Sequence, residues 1–582
     1  MQRKCPSTGA KSPKSMAGAL QSTLQMAIES VELGEGALRV LGAYYLRRSS
    51  ERGKAETPLD LFARIARKIS EGELIREGPT EAEYYEGVFL SLMTSMKFIP
   101  SPQIMLNAGS REPCLFSCLG LRLPLDVPPD LFEVLKTASS AVRKGCQVAL
   151  KLKTEGEIAG LHHLAGSVAG MLEGFITRPS SVSISLDLES FPAFQFFREH
   201  NPLFSPHLTA YAQISGRFLS ALKRGGRIEL ITEEGTFRRV RAETLLAELL
   251  SMSRRTGFPS YFLIRGAWRG DRDAAATPCG DNFLGNGQTC VAGNINLSRC
   301  LKERGEKTVL DWEELGDVVR KALRFLIDAC EISTGPNGEK PHGETVRLSL
   351  GVIGFGEVLL RMGIPYESGE TLRIADEIAS FLRKEALKEF HKLEEESGER
   401  EKVLLGLAPG AEAAVIAGTS PGLEPASCLL ILLSRLSGGE GVLDLEHVFG
   451  GDLRITDLLS GDYIDILLDS GKIQDAKSLS DEVKALLPSP YDVDPLFHMK
   501  LQSVFQRHFD GGVFKNIPSP ESEEDMAELF LSALRLDIKT LHFMPQLRPG
   551  GQFDIQELFY DPFLCEGTGI FSSKGGKGEN RK

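Results

Sequence analysis

The sequence has no long apolar run and no excess of positive charge. Hydrophobic residues make up 42% of its 582 residues, but no run approaches the roughly 18 consecutive apolar residues of a membrane helix. The formal net charge is −12, whereas a general nucleic-acid binder needs clustered cations that displace counterions from phosphate. We therefore expect no membrane span and no nucleic-acid partner. A single nucleotide could still bind in a local pocket.

Cysteine is sparse, and the beginning of the chain does not resemble a secretory signal. Ten cysteines in a chain of this length argue against a secreted disulfide scaffold, and most free cysteines behave as small buried hydrophobic residues. Residues 1–14 are basic and polar and lack the apolar stretch of a signal peptide. We expect a disordered tail at this end and a cytoplasmic protein.

Helical and strand-like patterns alternate along most of the chain. Residues 59–66 carry apolar side chains at helical spacing after Thr57-Pro58, a favourable helix start. Residues 119–123 and 182–188 alternate with the period of two that is typical of strands. Residues 374–393 return to a period of 3.6. This alternation predicts an α/β fold built on one large sheet or barrel.

Two local signals add to this pattern. Residues 227–240 predict a hairpin that turns at Glu234-Gly235. Ser522 predicts the start of a helix, because its Ser-x-x-Asp spacing to Asp525 suits a capping box. The expected organisation is a disordered tail over 1–19, a helical N-terminal domain over 20–100, the main α/β domain over 101–545 and a mostly flexible tail over 546–582.

A cysteine flanked by turn-forming residues is the first candidate for chemistry. In Thr277-Pro278-Cys279-Gly280-Asp281, a carboxylate follows the thiol by two residues. Such a turn presents the thiol at a loop tip, and Asp281 is close enough to act as a base on the same substrate. The alternative interpretation is a tight structural turn with a buried cysteine.

Two further cysteines could form a reversible redox pair. Cys118 opens a predicted strand, and Cys290 lies eleven residues after Cys279. If the sheet brings these strands together, a dithiol can alternate with a disulfide. Cys114 and Cys118 also invite an iron–sulfur interpretation, but Leu121 stands at the third position, and two ligands do not hold a cluster. We expect no metal site.

Residues 417–425 are rich in small and hydroxyl-bearing side chains. Thr419 and Ser420 offer hydroxyls next to exposed backbone N–H groups. If a helix begins here, its N-terminal end favours a phosphate group. Otherwise the segment is an ordinary Gly/Pro loop.

Taken together and in order, these motifs resemble the catalytic subunit of ribonucleotide reductases, most closely the adenosylcobalamin-dependent (class II) group. Six motifs in the right order, over residues from about 37 to 543, indicate common ancestry better than any single one. The segments that carry the resemblance are 45–48, 56–58 and 62–66; 101–109 followed by Ser117-Cys118; 277–281 followed by Cys290; 347–354 with Tyr366 and Ser368; 417–425; and 509–513 with Lys515.

The resemblance implies a ten-stranded α/β barrel with a central finger loop, preceded by a small helical domain. It implies that Cys279 becomes a thiyl radical that removes the 3′ hydrogen of the ribose. Asp281, with Thr277 nearby, would take the 3′-hydroxyl proton. Cys118 and Cys290 would protonate the leaving 2′ hydroxyl and supply two electrons, ending as a disulfide. The residues that would hold the ribose and phosphates are Ser101, Ser117, Thr419, Ser420 and Gly422.

The same resemblance bears on the radical source and the partners. The iron-dependent group relays its radical through a tyrosine pair, and the matching stretch 540–544 has none. Residues 565–569 match a glycyl-radical motif poorly, so adenosylcobalamin is left as the implied cofactor. A ribonucleoside-diphosphate type of substrate, a thioredoxin- or glutaredoxin-like reductant and a homodimer with an effector site near 191–206 are implied as well.

Several positions depart from the family pattern. Thr277 and Asp281 stand where the family has Asn and Glu, and residues 144–150 replace its glycine-rich segment. The tail carries only Cys565, where family members often have a cysteine pair. A misplacement of about 1 Å can lower a rate on the order of 10²-fold. We expect an active, divergent reductase; the alternative is a catalytically inactive homologue with a nucleotide-binding or regulatory role.

Overall fold

The structure is a computed structural model. It describes residues 33–47, 55–123, 128–152, 180–189, 193, 196–198, 208–231, 237–264, 273–339, 346–394, 402–436 and 461–545. The expected tails at 1–19 and 546–582, Cys565 and most of the segment 191–206 lie outside these residues. Among the helices described, none is long and apolar enough to cross a membrane.

Four helices form the first part of the described chain. They are α1 (Glu35–Tyr44), α2 (Pro58–Ile69), α3 (Glu71–Arg76) and α4 (Pro79–Thr94). Thr57 caps α2: its hydroxyl accepts a hydrogen bond from the Asp60 backbone, and the Asp60 carboxylate accepts one from the Thr57 backbone. The helix start predicted at Thr57-Pro58 is therefore confirmed, with Pro58 in the first turn, where its missing N–H costs nothing.

The strands that follow build one large mixed sheet and three small hairpins. In chain order they are β1 (Phe98–Pro100), β2 (Cys118–Leu123), β3 (Gln147–Leu152), β4 (Val182–Asp187), β5 (Leu208–Ile214), β6 (Arg227–Ile231), β7 (Phe237–Arg241), β8 (Ser260–Leu263), β9 (Ala275–Ala276), β10 (Phe283–Leu284), β11 (Thr289–Asn296), β12 (Leu301–Arg304), β13 (Lys307–Leu310), β14 (Val346–Ile353), β15 (Lys402–Val403), β16 (Asn516–Pro518) and β17 (Thr540–Met544). The strands predicted over 119–123 and 182–188 are β2 and β4. The predicted hairpin is β6 and β7, which pair antiparallel, and its turn lies outside the described residues.

Ten strands of the large sheet form two parallel halves, and an eleventh strand, β1, pairs antiparallel with β11 outside this path. Strands β2, β3, β4, β5 and β8 run parallel to one another, as do β11, β14 and β15 and, separately, β16 and β17. The halves meet antiparallel where β2 pairs with β11 and where β8 pairs with β17. A parallel bridge between Leu407 and Val513, just beyond β15 and just before β16, joins the two ends. The expected ten-stranded α/β barrel is confirmed.

Helices connect the strands and cover them. They are α5 (Pro102–Asn107), α6 (Pro128–Arg143), α7 (Gly216–Lys223), α8 (Ala242–Thr256), α9 (Trp312–Ile332), α10 (Phe355–Met362), α11 (Gly369–Glu394), α12 (Ala411–Ala417), α13 (Ser427–Leu436), α14 (Gly461–Ser470), α15 (Asp481–Leu486), α16 (Pro495–Gln506) and α17 (Glu523–Arg535). The periodic segment 374–393 lies within α11. The helix start predicted at Ser522 is present, because Ser522 Oγ accepts a hydrogen bond from the Asp525 backbone N–H and so caps α17. The Asp525 carboxylate accepts from the Ser522 hydroxyl, whereas in a capping box it would accept from the Ser522 backbone.

A short hairpin enters the barrel between β8 and β11. Its strands β9 and β10 pair antiparallel, with Ala276 opposite Phe283, and they contact β2, β3 and β4. The hydroxyls of Ser183 and Ser185 on β4 bond the Ala276 carbonyl and the Ala276 N–H, respectively. The turn that joins β9 to β10 is residues 277–282, which we call the finger loop.

Buried ion pairs fasten the first helices to the barrel. Helix α9 packs on β11 and β14 and also against α3 and α4. Its Arg324, of which only 3% of the side chain is exposed, bonds Glu73 on α3 through two nitrogens, and Glu77 through one at 2.6 Å. Arg76 pairs with Asp328 one turn further along α9. A guanidinium buried this deeply needs its carboxylate partners.

Replacing Glu73 by Gln should destabilise the chain strongly, because it leaves the buried Arg324 guanidinium without its fully buried countercharge. Breaking such a pair costs about 3–5 kcal/mol, so the midpoint of thermal unfolding should fall clearly. The matched control is Glu77→Gln, which alters a carboxylate on the same guanidinium that is 35% exposed. Equal shifts for the two variants would contradict the assigned role of the buried pair.

Candidate active site

The finger loop carries Cys279 at its tip. The Gly280 N–H bonds the Thr277 carbonyl at 2.8 Å, which closes a tight turn around the cysteine. Gly280 has φ +66, and a Cβ there would lie 2.8 Å from His542 Nε2 and 2.9 Å from Tyr211 Oη. Only glycine fits this conformation and this space. Cys279 is left half-buried, facing a cavity inside the barrel.

Groups from both halves of the barrel hold this loop. The Tyr211 hydroxyl on β5 donates to the Pro278 carbonyl at 3.2 Å, and burial raises the pKa of Tyr211 so that it stays a donor. Thr540 on β17 donates to the Gly280 carbonyl at 3.3 Å. The Gly512 N–H donates to the Asp281 carbonyl at 2.8 Å. These bonds fix the position of the Cys279 thiol relative to the surrounding strands.

Asp281 is buried, and each of its carboxylate oxygens has a donor. Thr277 Oγ1 donates to one oxygen at 2.6 Å, and the Ser349 hydroxyl on β14 donates to the other. Because a carboxylate oxygen has two lone pairs, each oxygen can still accept one more hydrogen bond. The carboxylate lines the same cavity as Cys279. It is therefore an oriented base that can take a proton from a molecule in the cavity.

Cys118 and Cys290 face each other across the seam between the two barrel halves. They are Cα partners on the antiparallel strands β2 and β11, where opposite Cα atoms lie about 4.5–5.5 Å apart. Disulfides span that distance. Both are buried and free, and the hydrogen bond to Cys290, with burial, holds the pKa of Cys118 well above its usual value. The pair is a dithiol that can close to a disulfide.

Gln147 lies between the dithiol and the finger loop. It stands beside Cys118 in register on β3. Its Oε1 lies 3.4 Å from Cys118 Sγ and 3.8 Å from Cys279 Sγ. The sequence marks residues 144–150 as a changed glycine-rich segment but gives this side chain no role. The signal that places it, its register opposite Cys118, exists only once the strands are paired.

The cavity has two further hydroxyls at its wall. Ser117 precedes Cys118, and its Oγ accepts from the Ala292 N–H at 3.0 Å. Ser101 is also at the wall, and its buried Oγ has no hydrogen-bond partner among the described residues. A buried hydroxyl without a partner is costly. It suits a polar group of a bound molecule.

The predicted phosphate-binding turn lies one layer away from this cavity. Thr419 and Ser420 are buried against Glu357 near the start of α10: the Thr419 hydroxyl donates to the Glu357 carboxylate, and Ser420 Oγ accepts from the Glu357 N–H at 3.3 Å. A Cβ on Gly422 would lie 3.3 Å from the Pro409 carbonyl oxygen. Pro409 itself lines the cavity. The turn therefore supports the cavity wall from behind.

The structure thus brings some of the predicted residues together and leaves others apart. Cys118, Cys279, Asp281, Ser101 and Ser117 line one cavity. The other predicted residues are Cys290 and Thr277, which contact lining residues, and Thr419, Ser420 and Gly422, which stand behind the wall. Within the part of the chain that the structure describes, no group of three or more His, Cys, Asp or Glu side chains could hold a metal ion.

Ser349 is a site residue that sequence reasoning missed, since its bond to Asp281 crosses from β14 to the finger loop. It belongs to the segment 347–354, which already carried part of the family resemblance. Its hydroxyl could have been singled out only as a polar residue in an otherwise apolar strand, Leu348-Ser349-Leu350.

Known proteins are similar to this chain in sequence and in fold. A family model described as the ribonucleotide reductase barrel domain matches residues 199–401 and 390–544, and the all-alpha domain of ribonucleotide reductase matches residues 31–113. A vitamin B12-dependent ribonucleoside-diphosphate reductase of Mycobacterium tuberculosis is 25% identical over 554 residues, which are 88% of this chain and 79% of the relative. One of Thermoplasma acidophilum with the same name is 24% identical over 515 residues, covering 80% of this chain and 66% of the relative.

A solved structure agrees in fold. The class Id ribonucleotide reductase alpha subunit of Actinobacillus ureae superposes with a TM-score of 0.65 at 18% identity, over 90% of this chain and 99% of that one. At this identity the likeness supports the architecture alone. The barrel model by itself spans more than half of the sequence. The chain therefore belongs to the ribonucleotide reductase large-subunit family.

Proposed function

We propose that this chain reduces ribonucleotides to 2′-deoxyribonucleotides for DNA precursor synthesis by thiyl-radical chemistry. The observation that carries the proposal is the convergence of one accessible thiol, one oriented carboxylate and one buried dithiol around a single cavity. Cys279 stands at the tip of the finger loop, and Asp281 and Cys118 line the same cavity. Membership of the reductase family supplies the reaction in which these groups are needed together.

Each group has a part in a balanced reaction. Cys279, as a thiyl radical, removes the 3′ hydrogen atom of the ribose while Asp281 takes the 3′-hydroxyl proton. The dithiol of Cys118 and Cys290 gives one hydrogen to the 2′ hydroxyl, which leaves as water when the C2′–O bond breaks, and the other to C2′, where a C–H bond forms. It supplies two electrons as it becomes a disulfide. Cys279 then returns a hydrogen atom to C3′, and Asp281 returns the proton to the 3′ oxygen. One ribonucleotide and one dithiol give one deoxyribonucleotide, one water and one disulfide.

The polar residues around these groups position them and the substrate. The Thr277 and Ser349 hydroxyls orient the Asp281 carboxylate, which is one methylene shorter than the family's Glu. The unpartnered Ser101 hydroxyl and the Ser117 hydroxyl offer contacts to the ribose or phosphates. The turn that contains Thr419, Ser420 and Gly422 supports the phosphate side of the cavity. The names of the relatives favour a diphosphate substrate.

The cofactor that we propose is adenosylcobalamin. The described residues fit such a group, since Cys279 is half-buried and lines the cavity, so that a group bound there can reach its thiol. Cys279 would face the adenosyl group, which when bound supplies the one-electron oxidant for this thiol. Strand β17, whose sequence is Thr540-Leu541-His542-Phe543-Met544, offers no tyrosine pair for a relay from a partner subunit.

Family membership also supports proposals for the substrate class and for the external reductant. Substrates are nucleotides, and a thioredoxin-like dithiol regenerates the enzyme. We further propose a homodimer and a cytoplasmic location. The alternative of an inactive homologue gains no support, because the three cysteines and the base remain arranged around one cavity.

Turnover should require Cys279. With adenosylcobalamin, a dithiol and each ribonucleotide, the purified chain should form deoxyribonucleotide, which chromatography measures. Cys279→Ser should fall to background, because a hydroxyl does not replace a thiol in hydrogen-atom transfer. Cys330→Ala changes another partly exposed cysteine, on α9, and should retain activity. Full turnover by Cys279→Ser would refute the site. Binding of nucleotide without any product from the unaltered chain would favour the inactive homologue.

Replacing Asp281 should lower kcat more than replacing Thr277, which donates a hydrogen bond to the Asp281 carboxylate. Asp281→Asn removes the base, and kcat should fall about 10²–10⁴-fold. Thr277→Val removes one hydrogen bond to a charged group, an interaction of about 1.5–3 kcal/mol, so kcat should fall about 10–100-fold with little change in KM. Thr277→Ser keeps the hydroxyl and should restore most of the rate. If Thr277→Ser has no higher kcat than Thr277→Val, the hydroxyl is not needed and Thr277 acts only by packing.

A further inference from the structure

Three consecutive backbone carbonyls converge on one lysine behind the finger loop. Lys539 is partly buried and lies immediately before β17. Its Nζ donates to the carbonyl oxygens of Phe509, Asp510 and Gly511, at 3.3, 2.6 and 3.1 Å. An ammonium group carries three N–H donors on one compact charge, which matches three carbonyls. Because converging carbonyl oxygens carry like partial charges, this turn keeps its shape best around a positive group.

The same turn docks the finger loop. Gly512, which follows the three carbonyls, donates its N–H to the Asp281 carbonyl oxygen at 2.8 Å. A Cβ on Gly511 would lie 2.3 Å from that oxygen, so the two backbones are in direct contact. Gly511 therefore touches the Lys539 ammonium with its carbonyl and the backbone of Asp281 with its Cα. A change in the shape of the turn must move one of these contacts.

Two other side chains hold the turn, but neither replaces this charge. Gln506, the last residue of α16, donates through Nε2 to two of the three carbonyls, at 2.8 and 3.3 Å. Arg383 on α11 donates to the His508 carbonyl at 3.1 Å and pairs with the Asp510 carboxylate at 2.5 Å. Gln506 is neutral, and Arg383 binds a carbonyl before these three and a side chain. The positive charge at the three carbonyls is that of Lys539.

We infer that Lys539 is a positioning residue, which sets the place of the Asp281 carboxylate by holding the turn 509–512 against the finger loop. Lys539 is not among the described residues that line the cavity, so it acts through the backbone and not on the substrate. The inference rests on the proposed function, in which Asp281 is the base. A misplacement of about 1 Å can lower a rate on the order of 10²-fold, so this turn matters for turnover.

The first test is amide hydrogen exchange of the full chain, measured by mass spectrometry without cofactor or substrate. Lys539→Met keeps an apolar stem and removes the three donors. Residues 277–282 and 511–512 should then exchange on the order of tenfold faster, while peptides from α9 keep their rate and show that the variant is folded. Unchanged exchange of residues 277–282 in the folded variant would overturn the inference.

The matched control for this test is Lys484→Met. It removes an ammonium that also donates to a backbone carbonyl, that of Gln474, at 2.8 Å. Exchange of residues 277–282 should stay as in the unaltered chain. The same acceleration in both variants would show that the loss of any lysine loosens the finger loop, and the special role of Lys539 would fall.

The second test separates kcat from KM in the turnover assay. Lys539→Met should lower kcat about 10–100-fold with little change in KM, because the base is displaced while the cavity wall is not. Lys539→Arg keeps the charge, but its planar fork fits three converging carbonyls less well. Its kcat should lie between those of Lys539→Met and the unaltered chain. An unchanged kcat in Lys539→Met would contradict the positioning role.

The pH dependence of kcat is a readout that packing alone does not move. Burial lowers the pKa of Lys539 to about 8 against the charges of Asp510 and Asp537, and Arg383 adds to the effect of burial. The ammonium is lost as the pH rises through this value, so kcat of the unaltered chain should fall there. Lys539→Arg stays charged and should lack this fall. The same fall in both proteins would assign it to another group and refute the role of the charge. If Lys539→Met does not fold, this comparison decides the question.

Failure of this inference is distinguishable from failure of the proposed function. If Lys539→Met loosens residues 277–282 but the unaltered chain never forms deoxyribonucleotide, Lys539 positions the loop and the proposed function fails. If the unaltered chain turns over and Lys539→Met equals it in exchange and in kcat, the proposed function holds and the inference fails.

Discussion

The contact of the finger loop with three glycines is the constraint on which the site depends. A Cβ on Gly512 would lie 1.8 Å from the Gly280 carbonyl oxygen, and a Cβ on Gly511 or Gly406 would lie 2.3 or 2.5 Å from the Asp281 carbonyl oxygen. The loop is therefore docked backbone against backbone, in space that no side chain can share. The Cys279 thiol and the Asp281 carboxylate take their positions from this contact. A reaction that loses on the order of 10²-fold for a misplacement of about 1 Å requires such a rigid mount.

The two parallel halves of the barrel explain why Cys118 and Cys290 meet. Parallel pairing joins residues of strands within one half of the barrel. Cys118 and Cys290 lie on strands of different halves, so parallel pairing alone does not bring them together. The antiparallel seam between β2 and β11 makes them direct partners. The same seam places Ser117 against β11, since its N–H donates to the Cys290 carbonyl at 2.8 Å. The cysteine pair therefore lies where the two halves of the barrel meet.

Local sequence signals predicted the elements well and the long-range contacts poorly. The predicted helix start at Thr57 is confirmed, and so are the two strands predicted over 119–123 and 182–188. These predictions succeed because each signal depends only on residues that are neighbours in sequence. The closure of the barrel at Leu407 and Val513, like the approach of Gln147 to two sulfurs, depends on register between strands distant in sequence. The roles proposed for the cysteines came from the family resemblance, since the local sequence alone favoured a tight structural turn with a buried cysteine at Cys279.

The position of Gln147 links the surroundings of two thiols. A single carboxamide oxygen faces both Cys118 and Cys279. Because one side chain contacts both sulfurs, any change at Gln147 alters the environment of both thiols at once, although neither belongs to the same element as the other.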